Sequence, residues 1–310
     1  MKYAFVFPGQ GSQSLGMLAD LAVNHPVVNE VFTEASTVLG YDLWDVVQNG
    51  PETRLNQTDV TQPAMLAAGI AVYRALHKAK PGLAPAFMAG HSLGEYTALV
   101  ASGVMTLAQG IELVAERGRL MQTAVAPGEG AMAAVLGLED EQVVALCAQA
   151  AQGGVVEAVN FNSPGQVVIA GDAQAVQRAM ALAEEMGAKK VVPLSVSVPS
   201  HCALMKPAAE ALKQKLDSMT FAAPIVPVFH NVNVASYRDV VQIKQALVEQ
   251  LYRPVQWVKT IEKMKEQGVE KLYELGPGKV LTGLNRRIDR RMDIETIFDS
   301  ATLAQALAGL

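Results

Sequence analysis

The stretch Gly90-His91-Ser92-Leu93-Gly94 lies between an apolar run, Pro85–Ala89, and a helical pattern that starts near Leu93. Strand, G-x-S-x-G, helix is the order that a nucleophile elbow requires. Glycine on both sides of Ser92 removes the Cβ atoms that would block a sharp turn, so the hydroxyl can project from the strand's C-terminal end. The same turn aims the first N–H groups of the following helix at whatever reacts there. A chain with this feature needs a buried strand below the serine and a helix packed behind it.

The rest of the chain supplies both. Strand-length apolar runs alternate with helical patterns, which predicts an α/β fold on a mainly parallel sheet. Tyr3–Phe7 reads as a strand followed by the turn Pro8-Gly9-Gln10-Gly11-Ser12. Helices are expected near 26–39, 62–79, 93–102 and 106–123. After the break Pro127-Gly128-Glu129-Gly130, strands at 131–136, 155–161, 166–170 and 190–195 and helices at 139–151 and 172–186 follow in the order β-α-β-β-α-β. That order predicts a small ferredoxin-like domain over 128–197, inserted in a larger domain made of 1–127 and 198–310. The larger part resumes with helices near 203–218, 238–251 and 255–267, a strand at Lys271–Leu275, a helix after Gly276-Pro277-Gly278, and a short C-terminal helix over 301–310.

Composition narrows the function. With 310 residues, half of them hydrophobic, the chain can bury a full core. A formal charge of −5 leaves no global basic excess for nucleic acid. No apolar run reaches the roughly 18–20 residues that span a bilayer, and the N-terminus lacks the pattern of a secretory signal. Two cysteines, Cys147 and Cys202, make neither a disulfide framework nor a metal cluster. The expectation is a cytoplasmic protein without a bound metal.

A serine needs a base. Of five histidines, His91 precedes Ser92 on the elbow and should point away from the hydroxyl, His25 and His77 sit in polar helical settings expected to be exposed, and His230 lies in an apolar run where a satisfied core histidine is the default. His201 differs: Val198-Pro199-Ser200-His201-Cys202 is a loop that opens a helix, where functional groups tend to lie. It is the candidate base. Cys202 reads as packing. No triad acid is evident, since Asp140 and Asp172 fall at helix starts and read as N-caps. Arg117 lies beside the apolar stripe of its helix (Leu107, Ile111, Val114, Gly118, Met121), where a guanidinium needs an anion. Glu112 or Glu116 would make it structural; a substrate carboxylate would make it functional.

Taken in order, Phe7–Ser12, Gly90–Glu95, the Arg117 helix, Asn160–Gly171, Pro199–His201, Gln250–Trp257 and Glu274–Gly278 resemble the malonyl-CoA:acyl carrier protein transacylases of bacterial type II fatty-acid synthesis. The resemblance covers nearly the whole chain and weakens after about residue 290. It implies an α/β-hydrolase-like large domain and ping-pong transfer of malonyl from malonyl-CoA, through a malonyl-serine at Ser92, to the 4′-phosphopantetheine thiol of acyl carrier protein. It also implies His201 as general base and acid, backbone N–H groups of Gln10 and Leu93 as the oxyanion hole, and Arg117 on the malonyl carboxylate. The main-chain carbonyl of Gln250 would orient the histidine, and no cofactor is bound beyond these substrates. The residues Val198-Pro199-Ser200 match the discrete enzymes rather than modular-synthase domains. Binding an acidic carrier would need a local basic patch, for which Lys189-Lys190 and Arg286-Arg287 with Arg290-Arg291 are candidates, although a solvated helix face explains such charges as well. A serine thioesterase and a non-catalytic carrier-docking protein are the rival readings.

Overall fold

The structure, a computed structural model, describes residues 1–196 and 198–310. In chain order the elements are β1 (Tyr3–Phe7), α1 (Ala19–Asn24), α2 (Val27–Leu39), α3 (Leu43–Asn49), α4 (Glu52–Leu55), α5 (Thr58–Ala79), β2 (Phe87–Gly90), α6 (Leu93–Ala101), α7 (Leu107–Thr123), β3 (Gly130–Leu136), α8 (Asp140–Ala151), β4 (Val156–Ser163), β5 (Gln166–Asp172), α9 (Ala173–Glu185) and β6 (Lys190–Pro193). A single 3₁₀ turn at Ala203–Met205 then leads into α10 (Lys206–Asp217), β7 (Val228–Phe229), α11 (Val240–Gln250), α12 (Trp257–Glu266), β8 (Lys271–Leu275), α13 (Val280–Ile288), β9 (Asp293–Ile297) and α14 (Ser300–Gly309). No described helix is long and apolar enough to cross a membrane.

Five strands form a parallel sheet in the order β7-β2-β1-β8-β9. Period-two alternation in β1 sends Phe5 and Phe7 into one core, with α5 and α2, and Ala4 and Val6 into another, around Trp257. Both faces are therefore covered, as a parallel sheet requires. Trp257 is fully buried, and its indole N–H donates to Asn285 Oδ1 at 2.8 Å, so the aromatic area is buried without stranding its donor.

The other four strands form an antiparallel sheet in the order β4-β5-β3-β6. One face carries Ala133, Val135 and Ile169 into a core of its own with α8 and α9. The opposite face presents Met132, Ala134, Val168 and Ala170 to Cys202, the residue after His201. A backbone bridge ties this sheet to the larger body: Phe161 N–H donates to Val255 O at 3.0 Å and Val255 N–H to Val159 O at 2.8 Å.

Several expectations change. The N-cap of α8 is Glu139, in a capping box with Gln142, and Asp140 is the first helical residue. Asp172 sits at the N-cap position of α9 but makes no cap; its carboxylate accepts the Val155 N–H instead. His77 is half-buried rather than exposed, with its ring 4.3 Å from that of Tyr73. The helix expected over 203–218 is a 3₁₀ turn followed by α10. The outer limit of the 128–197 segment, Ser197, lies outside the described residues.

Two glycines let β1, β2 and α6 converge. A Cβ on Gly90 would lie 1.9 Å from the Gly94 carbonyl carbon, and one on Gly94 would lie 2.1 Å from Phe7 O. Those contacts are backbone against backbone, so no side chain can swing aside. Gly94→Ala should cost upward of about 3 kcal/mol in chemical denaturation. Gly283→Ala, in α13 with nothing within 4 Å of the added methyl, should be neutral or gain up to about 1 kcal/mol. Equal stability of the two variants would refute the close-approach account.

Candidate active site

The turn between β2 and α6 places Ser92 at φ 51°, ψ −109°, a conformation that a residue with a Cβ adopts only when its surroundings enforce it. One side chain enforces it from both sides. Asn231 Oδ1 accepts the Ser92 N–H at 2.8 Å, while Asn231 Nδ2 donates to Gly90 O at 2.8 Å. Behind Asn231 lies the fully buried carboxylate of Glu95, which accepts from Asn231 N at 2.8 Å, from His230 Nδ1 at 2.7 Å and from Gln250 Nε2 at 3.1 Å. His230 is buried as its apolar setting predicts, but only half satisfied: Nδ1 meets Glu95, and Nε2 has no partner among the described residues. Asn231 and the structural part of Glu95 carry no sequence signature: each is one polar residue whose partners are distant in the chain, most of them by more than a hundred positions.

His201 comes from the returning chain, also at positive φ (65°). Its Nε2 lies 2.7 Å from Ser92 Oγ, and its Nδ1–H donates to the carbonyl oxygen of Gln250 at 2.7 Å. The second bond fixes the tautomer that leaves Nε2 as acceptor. Burial, and next the positive charge of Arg117, hold the imidazole down to about 3. It is therefore neutral near pH 7 and free to take a proton. Cys202, beside it, donates to Pro199 O at 3.2 Å, and burial pushes its thiol up to about 12, so it packs and does not react.

Arg117 is brought to the same place by α7. Thr106 and Gln109 form a capping box that starts the helix, and Gly118 lets α7 approach the backbone of Thr58 and Asp59 at the head of α5. The guanidinium is 1% exposed. Its Nη1 donates to Gln62 Oε1 at 2.7 Å, and its Nη2 donates to Gln250 Oε1 at 2.9 Å and to Ser92 Oγ at 3.3 Å. Neither structural partner left open by the sequence is used: Glu112 pairs with Lys215, and Glu116 with Arg119. Sequence reasoning reached Arg117 through its place beside the apolar stripe but missed Gln62, 55 positions away on α5. The one available hint was the pair Gln62-Pro63 within an otherwise apolar helical run.

These groups open into a small cleft of roughly 120 Å³ between the elbow and β3 of the antiparallel sheet. Gln10 and Leu93 line it, and among the described residues neither backbone N–H is paired. Two free donors beside a serine are what a developing oxyanion needs. His91 also lines the cleft, with its Nε2 2.7 Å from Asn162 Oδ1, away from the hydroxyl as expected. Burial lowers its affinity for a proton. No group of three or more His, Cys, Asp or Glu among the described residues could hold a metal ion. Lys189, Lys190, Arg286, Arg287, Arg290 and Arg291 are all exposed, and Arg287 donates to Gln166 Oε1 at 2.6 Å.

Known proteins give the same picture. A sequence profile described as an acyl transferase domain matches residues 4–296. The malonyl CoA-acyl carrier protein transacylase of Escherichia coli K12 is 56% identical over 306 residues, covering 99% of each chain. An acyl carrier protein S-malonyltransferase from Vibrio cholerae superposes with a TM-score of 0.96 at 57% identity, over 99% of this chain and all of that one. A malonyl-transacylase solved in complex with its type II PKS acyl-carrier protein gives 0.98 at 54% identity over the whole of both chains. The chain belongs to the acyl transferase family, and it shares its full length with that family's malonyl CoA-acyl carrier protein transacylases.

Proposed function

We propose that this chain transfers malonyl groups from malonyl-CoA to the phosphopantetheine thiol of an acyl carrier protein, supplying extender units for fatty-acid synthesis. The observation that carries this reading is a buried guanidinium 3.3 Å from the serine hydroxyl with no carboxylate partner among the described residues. A plain esterase has no use for such a cation, whereas a substrate with a free carboxylate needs one. The names of the relatives and the carrier-bound neighbour support the same substrate and acceptor.

Ser92 Oγ attacks the thioester carbon as its proton passes to His201 Nε2, and the carbonyl oxygen gains the charge that the Gln10 and Leu93 N–H groups meet. The tetrahedral intermediate collapses by breaking the C–S bond, and His201 returns the proton to the departing CoA sulfur. The malonyl-serine then meets the carrier thiol: His201 takes the thiol proton, sulfur attacks, and Ser92 leaves with that proton. Gln250 O holds the imidazole without adding a negative charge beside it. Thioester is exchanged for thioester, so the task is to shelter the acyl-serine until a thiol arrives, and Arg117 anchors the acyl carboxylate meanwhile.

The same reading divides the chain into an α/β-hydrolase-like catalytic part, 1–127 with 198–310, and a ferredoxin-like insertion over 128–197. Support comes from the separate core of the antiparallel sheet and its strand order. The same reading carries a cytoplasmic location, as expected of a fatty-acid synthesis enzyme.

Two measurements test the proposal. Arg117→Ala should lower malonyl transfer to a carrier protein by roughly two orders of magnitude, about 3 kcal/mol for a buried charge pair, while sparing or raising transfer of acetyl. Equal loss for both acyl groups would sink the assignment. Single-turnover acylation should stay flat with falling pH well below the ordinary imidazole value of about 6.5, because a depressed pKa keeps His201 neutral there. Removing the Arg117 charge removes part of the depression, so Arg117→Ala should move the acid limb upward. A wild-type limb near 6.5 would contradict this environment for the base.

A further inference from the structure

A buried guanidinium is ordinarily met by a carboxylate. Arg117 is met by two amides. Gln62 Oε1 accepts from Nη1 at 2.7 Å and Gln250 Oε1 from Nη2 at 2.9 Å, the ring of Tyr96 lies 5.0 Å away, and Nε has no partner among the described residues. The acids within reach are engaged elsewhere. Glu112 and Glu116 pair with Lys215 and Arg119. Glu95, buried in the same region, has its oxygens taken by His230, Asn231 and Gln250 Nε2.

Gln250 therefore stands between Arg117 and the buried Glu95, its oxygen toward the guanidinium and its nitrogen toward Ser92 O at 2.9 Å and Glu95 at 3.1 Å. Gln62 does the equivalent on the other side: its Nε2 faces the thioether of Met121 at 3.6 Å, which leaves Oε1 for the guanidinium. An amide oxygen fixes the position of a guanidinium as well as a carboxylate oxygen does, but it contributes no charge. Gln62 also lines the cleft that holds Ser92 and His201.

We propose that Gln62 is a specificity-determining residue: its neutral amide, with that of Gln250, holds Arg117 in place while leaving its charge for the carboxylate of the incoming acyl group. The proposal rests on the reading of Arg117 as the carboxylate site. It predicts that glutamate at this position, the same shape with a charge, would act as an internal substitute for the malonyl carboxylate and turn the enzyme toward uncharged acyl groups.

The test compares kcat/KM for malonyl-CoA and acetyl-CoA, with a phosphopantetheinylated carrier protein as acceptor, and folding checked by thermal melting. Gln62→Glu should lower the malonyl-to-acetyl ratio by at least about tenfold. Gln62→Met, close in volume and uncharged, should keep that ratio within about threefold of wild type even if both rates fall, because the guanidinium stays uncompensated. An unchanged ratio in Gln62→Glu, an equal loss for both acyl groups, or a fall in Gln62→Met as large as in Gln62→Glu would overturn the proposal. Should Gln62→Glu fail to fold, Gln62→Asp puts the same charge beside Arg117 and takes its place: a lowered malonyl-to-acetyl ratio upholds the proposal, and an unchanged ratio refutes it. Arg117→Ala in parallel separates the two levels. If it leaves malonyl preference intact, the carboxylate-site reading has failed; if it removes the preference while Gln62→Glu does not, only the role of Gln62 has.

Discussion

The positive φ at Ser92 is the constraint on which the rest of the molecule depends. A serine does not rest there unaided, and the chain surrounds it with groups that leave no alternative. Gly90 and Gly94 let α6 lie directly on the ends of β1 and β2, so the backbone of the elbow is wedged against Phe7. Asn231 grips the turn from both sides, and Glu95 holds Asn231. The parallel sheet supplies the rigid floor, because β1 and β2 are interior strands with both faces covered. Reactivity at one hydroxyl is in this sense a property of the whole sheet.

Electrostatics then separates two tasks that sit within hydrogen-bond distance of each other. In the proposed mechanism the base must be neutral and the group that meets the acyl carboxylate must be positive. Orienting His201 by the Gln250 carbonyl avoids a carboxylate that would stabilise the imidazolium and also neutralise Arg117. Burial and the Arg117 charge act together to keep the imidazole unprotonated. The absence of a triad acid from the sequence is accounted for by the same feature: a main-chain oxygen does the orienting, and a main-chain oxygen has no residue type.

Much of this was legible beforehand. The alternation of strand-length runs and amphipathic patterns located most elements within a few residues, and G-x-S-x-G with a loop histidine picked out two side chains that the fold brings within 2.7 Å of each other. Local capping was less legible: adjacent acids at Glu139 and Asp140 compete for one role, and backbone geometry, not composition, selects the first. β7 is two residues long, too short for any periodicity, and β9 is an edge strand of mixed character, Asp-Ile-Glu-Thr-Ile. Asn231 and the side chain of Gln250 were invisible, and Gln62 nearly so, for a different reason. Each is a neutral polar residue whose importance comes from burial and from partners distant in the chain, and neither leaves a local pattern.

The account turns on a covalent malonyl-Ser92 that waits for a thiol. The direct measurement is intact-protein mass after brief exposure to malonyl-CoA, followed by addition of a phosphopantetheinylated carrier protein. A malonyl adduct that is missing in Ser92→Ala and moves onto the carrier is the predicted result. An adduct lost to water at the same rate with or without carrier would mean a hydrolase, and no adduct at all would contradict nucleophilic catalysis at this serine.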